Sequence, residues 1–147
     1  MPLGSVLAAL ICAPLHARSH YETDGFVVIE AENSSLRHAA TVGSVHSWSD
    51  VTHTGASGDA IQCLADSGNY TLALDGPRVD YPIDFETPGV YYVWLRMAAP
   101  NTSGDSVIVG FDGASLTNTT SNAGMAVTAD GTLYWRNTGV NVDTYYG

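Results

Sequence analysis

The chain has 147 residues, 45% of them hydrophobic and only 14% charged, with 15 glycines, which excludes a disordered polymer and is enough for one domain with a real core. A formal net charge of −10, from 15 acids against 5 bases, argues against nucleic acid or an anionic membrane as a partner. It suits a neutral ligand or a divalent cation, and the Ser, Thr and Asn content is that of extracellular β-proteins.

The chain opens with "SVLAALICAPLHA" (5–17), which has the apolar length of a secretory leader ending in a Leu-His-Ala cleavage site. It is too short to span a bilayer. We therefore divide the chain into a leader, 1–19, and one module, 20–147, and expect an exported protein. With the leader removed, Cys63 loses its one possible disulfide partner, Cys12. Its apolar setting, "AIQCLA", predicts a buried free thiol.

"GFVVIEAENSS" (25–35) reads as a short β-branched strand that ends in two acids, Glu30 and Glu32. Two residues apart on a strand they share a face. Three explanations compete: a bound cation, a catalytic pair, or two solvated acids. A glycosidase pair fails on geometry, because two acids on one strand cannot flank opposite faces of a bond at the roughly 5–9.5 Å that such chemistry needs.

Strand signals continue along the chain. "GDAIQCLA" (58–65) is a weak one. "RVDYPIDF" (78–85) alternates with the period of a half-buried strand, with Arg78 and Asp80 on one face. "GVYYVWLRMAA" (89–99) follows the Pro88-Gly89 turn, with Trp94 read as core. "DSVIVGFDG" (105–113) closes on Asp112-Gly113, a strong hairpin signal. Arg96 and Asp105, on either side of a short loop, suit a structural ion pair or a hydroxyl-binding pair. "TLYWRN" (132–137) is a further short strand, and "VNVDTYYG" (140–147) ends without a closing strand. No segment after residue 25 keeps helical period. The sum is one all-β domain, an antiparallel sandwich.

Neither metal-binding nor catalytic motifs stand out. His38, His46 and His53 have irregular spacing with no cysteine partners, and nothing resembles a nucleophile elbow or a phosphate loop. The protein reads as a non-enzyme. Sequons occur at Asn33, Asn69, Asn101 and Asn118, where turn chemistry is an adequate explanation.

"FVVIEAEN", "SGDAIQCLADSGNY" and "TPGVYYVWLR…DSVIVGFDG", in that order, resemble the galactose-binding-like jelly-roll β-sandwiches of carbohydrate-binding module families 6 and 35 and the similar carboxy-terminal domain of family 115 glycoside hydrolases. The resemblance covers roughly 25 to 140. It implies non-catalytic binding of a polysaccharide or oligosaccharide, within a larger glycan-active or surface protein. It implies a structural calcium ion on Glu30 and Glu32, completed in relatives by an acid from a last strand that this sequence lacks. It also places a sugar-stacking tryptophan in the "LYWRN" segment, Trp135, with Tyr134 beside it and Asn137 as polar partner. Trp48, in the polar stretch "HSWSD", is a second platform candidate. The competing class is a structural, adhesive β-sandwich that self-associates through an open edge.

Overall fold

The computed structural model describes residues 19–34, 36–43, 46–65, 75–112, 114–115, 125–137 and 141–144. Among these the only helix is a 3-10 turn, Ala31–Asn33, and everything regular besides is strand. No helix of the described residues is long and apolar enough to cross a membrane. The leader lies outside the described residues, except for its last position.

The strands form seven two-stranded ladders. Ser47–Val51 pairs with Ala60–Leu64, and Leu36–His38 with Arg78–Asp80. Ser106–Val107 pairs with Met125–Ala126, and Gly110–Phe111 with Ala114–Ser115. These are antiparallel, whereas His20–Tyr21 runs parallel to Ile83–Asp84. The protein is thus all-β. The separate ladders do not by themselves draw a jelly-roll order.

The remaining two ladders share the long stretch that begins at Gly89. Leu95–Met97 pairs with Tyr134–Arg136, and Gly89–Tyr92 pairs with Asn141–Thr144. The tail read as lacking a strand therefore contributes one. Along residues 90 to 97, two strands with residues 93–94 between them, exposure alternates strictly: Val90, Tyr92, Trp94 and Arg96 face solvent, while Tyr91, Val93, Leu95 and Met97 are half-buried. Trp94 is 58% exposed, which corrects its reading as core. Both faces of this strand are apolar, and a period of two cannot say which is covered. The inner end of the strand reaches Ala99, fully buried, whose carbonyl accepts Gly131 N–H at 2.8 Å. Val127, also buried, donates its N–H to the Asp105 carbonyl at 2.9 Å.

Local turn chemistry explains where strands stop. Asp112, at φ 48°, takes the left-handed conformation that a two-residue hairpin connection requires, and Phe111 pairs with Ala114 across it. The 105–113 run is two short strands, with residues 108–109 outside either ladder. Pro82 has no N–H to give a ladder, and residues 78–85 accordingly split into Arg78–Asp80 and Ile83–Asp84. Cys63 is half-buried, not enclosed as its sequence setting predicts.

"FVVIEAE" is not a ladder strand. Phe26 makes only an isolated bridge to Thr23 around the tight turn of Asp24 (φ 53°) and Gly25 (φ 81°), and Val28 is exposed. The β-branched side chains keep this stretch extended, but a ladder also needs a neighbouring edge, and none pairs here.

Glu22 fastens that turn to the rest of the chain. Its side chain is buried, 7% exposed, and its carboxylate accepts four hydrogen bonds. The donors are Gly25 N–H (3.1 Å), Glu86 N–H (3.0 Å), Thr87 N–H (2.8 Å) and the Tyr91 hydroxyl (2.7 Å). The Tyr91 hydroxyl, then the Thr87 amide, hold the acid below its ordinary value of 4.5. A lowered folded value means the ionised group stabilises the fold above the unfolded value and loses that contribution as pH falls through the folded one. Glu22→Gln should therefore melt below wild type at neutral pH, and the gap should close as pH drops below 4.5. Thermal melts across that range check it; a gap independent of pH would remove the carboxylate's role.

Candidate functional site

The 3-10 turn changes the geometry of the two acids. Glu30 is extended (φ −79°, ψ 126°) and exposed, and its carbonyl accepts Asn33 N–H at 3.0 Å. Glu32 lies inside the turn, half-buried against Gly58, where an added Cβ would stand 3.2 Å from Glu32 Oε1. A turn with about three residues per revolution does not stack positions 30 and 32 on one face as a strand would. The turn is pinned from outside. The Tyr81 hydroxyl donates to the Ala31 carbonyl at 2.9 Å, and burial pushes that phenol up to about 12. Arg37 donates to the Glu32 carbonyl at 2.9 Å and to Asp50 at 2.7 Å. Glu30 and Glu32 offer hard oxygens of the kind calcium prefers, though two carboxylates are short of its usual six to eight ligands. Among the described residues no group of three or more His, Cys, Asp or Glu side chains gathers to hold a metal ion.

The ladder of Leu95–Met97 with Tyr134–Arg136 sets out the second candidate. Trp135 stands directly opposite Arg96, so the two side chains share one face, and Trp135 is 63% exposed. Asn137 follows the end of that ladder, half-buried. Tyr134 belongs to the other face, because adjacent strand residues point to opposite sides. Its hydroxyl donates to Asp130 at 2.8 Å and its ring lies under Arg136, 5.3 Å from the guanidinium carbon. Asp130 also accepts Thr132 N–H at 2.8 Å. The Thr132 amide, then the Tyr134 hydroxyl, hold the Asp130 acid low, and the same bond to Asp130 pushes the Tyr134 phenol up. Tyr134 therefore braces the turn below Trp135 and does not extend its platform.

Arg96 is not paired with Asp105. It donates to the Gly55 carbonyl at 2.8 Å and makes no ion pair among the described residues, whereas Arg37 and Arg78 each hold an aspartate. The Arg78–Asp80 pair is the one expected from their shared face, and His38 Nε2 approaches the same carboxylate at 3.1 Å. Arg96 lies in the wall of an open groove of about 600 Å³. Thr52, His53 and Thr54 form one side of it, and Gly131, Thr132 and Leu133 the other. Sequence reasoning missed this groove, because its two loops meet only through the fold. Its one local clue is Leu133, two residues before Trp135 and so on the same strand face.

Trp48 sits elsewhere, opposite Cys63 in its own ladder. It is half-buried, and its indole N–H donates to the Pro77 carbonyl at 3.0 Å. An indole whose polar edge is occupied internally is a packing residue first.

A test of this layout uses the three tryptophans as reporters. Acrylamide should quench Trp94 and Trp135 and spare Trp48. Trp48→Phe should leave the quenchable fraction of the emission intact, and Trp135→Phe should reduce it. Equal quenching of all three would contradict the placement.

Comparison with known families gives one match: the family described as Glycosyl hydrolase family 115 C-terminal domain, over residues 19–141. No curated protein and no solved structure matched the chain.

Proposed function

Since this chain belongs to the glycosyl hydrolase family 115 C-terminal domain family, we propose that it is a non-catalytic carbohydrate-binding module, a galactose-binding-like jelly-roll sandwich. The match is to a C-terminal domain of a glycosyl hydrolase family, not to a catalytic domain, so the context is carbohydrate-related. On this reading the module is exported and belongs to a larger glycan-active protein. It holds a polysaccharide or oligosaccharide for chemistry carried out elsewhere.

The observation that carries the proposal is Trp135, a large aromatic left 63% exposed beside Arg96 and the Thr52–Leu133 groove. A pyranose presents an apolar C–H face and a rim of hydroxyls. An exposed indole meets the first, and a guanidinium with threonine hydroxyls meets the second. Asn137 continues the polar rim past the end of the ladder. Tyr134 acts indirectly, by bracing the turn at Asp130, and Trp48, its indole N–H held by the Pro77 carbonyl in another ladder, acts by packing.

Trp135→Ala should lower glycan affinity by about tenfold or more, since a few aromatic anchors dominate such surfaces. Trp48→Ala should change it little. A glycan array followed by calorimetry on the responding glycan checks both, with circular dichroism to confirm folding. Retained affinity in Trp135→Ala would move the site away from this strand.

Calcium belongs to the same proposal. Glu30 and Glu32 would supply two of its oxygen ligands, and the bound ion would neutralise charge in a chain that carries a net −10. An ion that binds only the folded state stabilises it by mass action. Calcium should raise the melting temperature above that in chelator, and Glu30→Gln should abolish the difference. Identical melts in calcium and chelator would remove the ion from the proposal.

A further inference from the structure

Resting on the carbohydrate-binding reading, we infer that the ligand is an internal run of a linear glycan chain. It lies along the strand from the Arg96 groove past Trp135 and Trp94 to Tyr92. The site is then not a pocket for one terminal sugar.

Three observations carry this. First, the aromatics are arranged in a row. Tyr92 (65% exposed) and Trp94 (58%) precede Arg96 at alternate, solvent-facing positions that run from one strand into the next, and Trp135 faces Arg96 from the neighbouring strand. Each two-residue step along a strand covers about 7 Å, so the row extends over about 13 Å from Tyr92 to Arg96, more than one pyranose spans. Second, the groove at the Arg96 end is open, walled on two sides by Thr52–Gly55 and Gly131–Leu133, so a chain can enter it and continue outward. Third, a polar group stands where the aromatic row meets the groove. Among the described residues Arg96 makes a single hydrogen bond there, to Gly55, leaving further guanidinium donors for ligand oxygens.

The same arginine argues for a sugar over an apolar protein partner. A partner covering Trp94 and Trp135 would also cover Arg96, which has no carboxylate among the described residues, and an unpaired buried charge is costly. A glycan chain leaves the guanidinium hydrated and brings it hydroxyl acceptors. Stacking on successive rings then uses Trp135, Trp94 and Tyr92 in turn, and each added sugar contributes until the row is filled.

The test is calorimetry with cello-, xylo- and manno-oligosaccharides graded from disaccharide to hexasaccharide. For whichever series binds, wild-type affinity should rise by about tenfold or more with chain length and then level off. That measurement needs no variant. Tyr92→Ala should cost several-fold more affinity for the hexasaccharide than for the disaccharide, whereas Trp135→Ala should weaken every length. Affinity independent of length in the wild type would overturn the inference and leave carbohydrate binding standing. So would Tyr92→Ala weakening the disaccharide as much as the hexasaccharide. Absence of binding across all series would overturn the carbohydrate reading itself. Sedimentation at the assay concentration closes the alternative: a dimer dispersed by Trp94→Ala would assign the face to a second copy of the chain and overturn the inference.

Discussion

The four hydrogen bonds accepted by Glu22 join parts of the chain that are far apart in sequence. Gly25 belongs to the first turn, Glu86 and Thr87 to the turn ahead of the long strand, and Tyr91 to that strand itself. A buried carboxylate is tolerable only when its lone pairs are satisfied, and these donors satisfy them. The arrangement turns an electrostatic liability into a fixed point. The aromatic rings of Phe85, Tyr91 and Phe111 gather next to it, with Phe85 4.6 Å from Tyr91 and 6.4 Å from Phe111 between centroids. The strand that displays Tyr92, Trp94 and Arg96 is thereby held at its first residues, while the buried Ala99 holds it just past its end.

A strand fastened at both ends tolerates an exposed middle. Fully covered residues are few among those described: Ala99 and Val127 are the buried hydrophobic ones, while Tyr92, Trp94 and Trp135 stay in water. Contiguous exposed aromatics of this size are informative where isolated ones are not. The charge pattern follows the same division. Arg37 and Arg78 are tied into ion pairs, and Arg96, on the display face, has none among the described residues. In a chain with a net charge of −10, that placement concentrates a rare positive group where a ligand's oxygens would lie.

What could be read from the sequence was chiefly what local chemistry decides. Asp112-Gly113 marks its hairpin through a left-handed Asp112, Pro88-Gly89 marks the start of the long strand, and Arg78 with Asp80 follows from a period of two. The acids at Glu30 and Glu32 show the limit. Their β-branched neighbours imply a strand, but no edge is available to pair with, and a 3-10 turn closed by Asn33 and pinned by Tyr81 takes its place. Trp94 failed differently: both faces of its strand are apolar, so the pattern names two candidate cores and only packing chooses. The pairing of Tyr134 with Trp135 was avoidable, since neighbours on a strand cannot share a face. The groove and the fourfold bonding of Glu22 depend on contacts across dozens of residues, for which no short motif exists.

The two apolar faces of the long strand have a bearing on how reliably it finds its place. In most half-buried strands a one-residue slip carries polar groups inward and is rejected by solvation alone. Here a slip would exchange Tyr91, Val93 and Leu95 for Val90, Tyr92 and Trp94, one apolar set for another, and solvation would reject it only at Arg96, which would take the place of Met97. The discriminating contact is the Tyr91 hydroxyl donating to Glu22 at 2.7 Å. A neighbouring tyrosine, Tyr92, could bring a hydroxyl of its own only by turning the whole strand over. At the start of this stretch, where Val90 to Leu95 fit either way round, alignment thus turns on one phenol meeting one carboxylate, a polar key that Arg96 repeats at the far end.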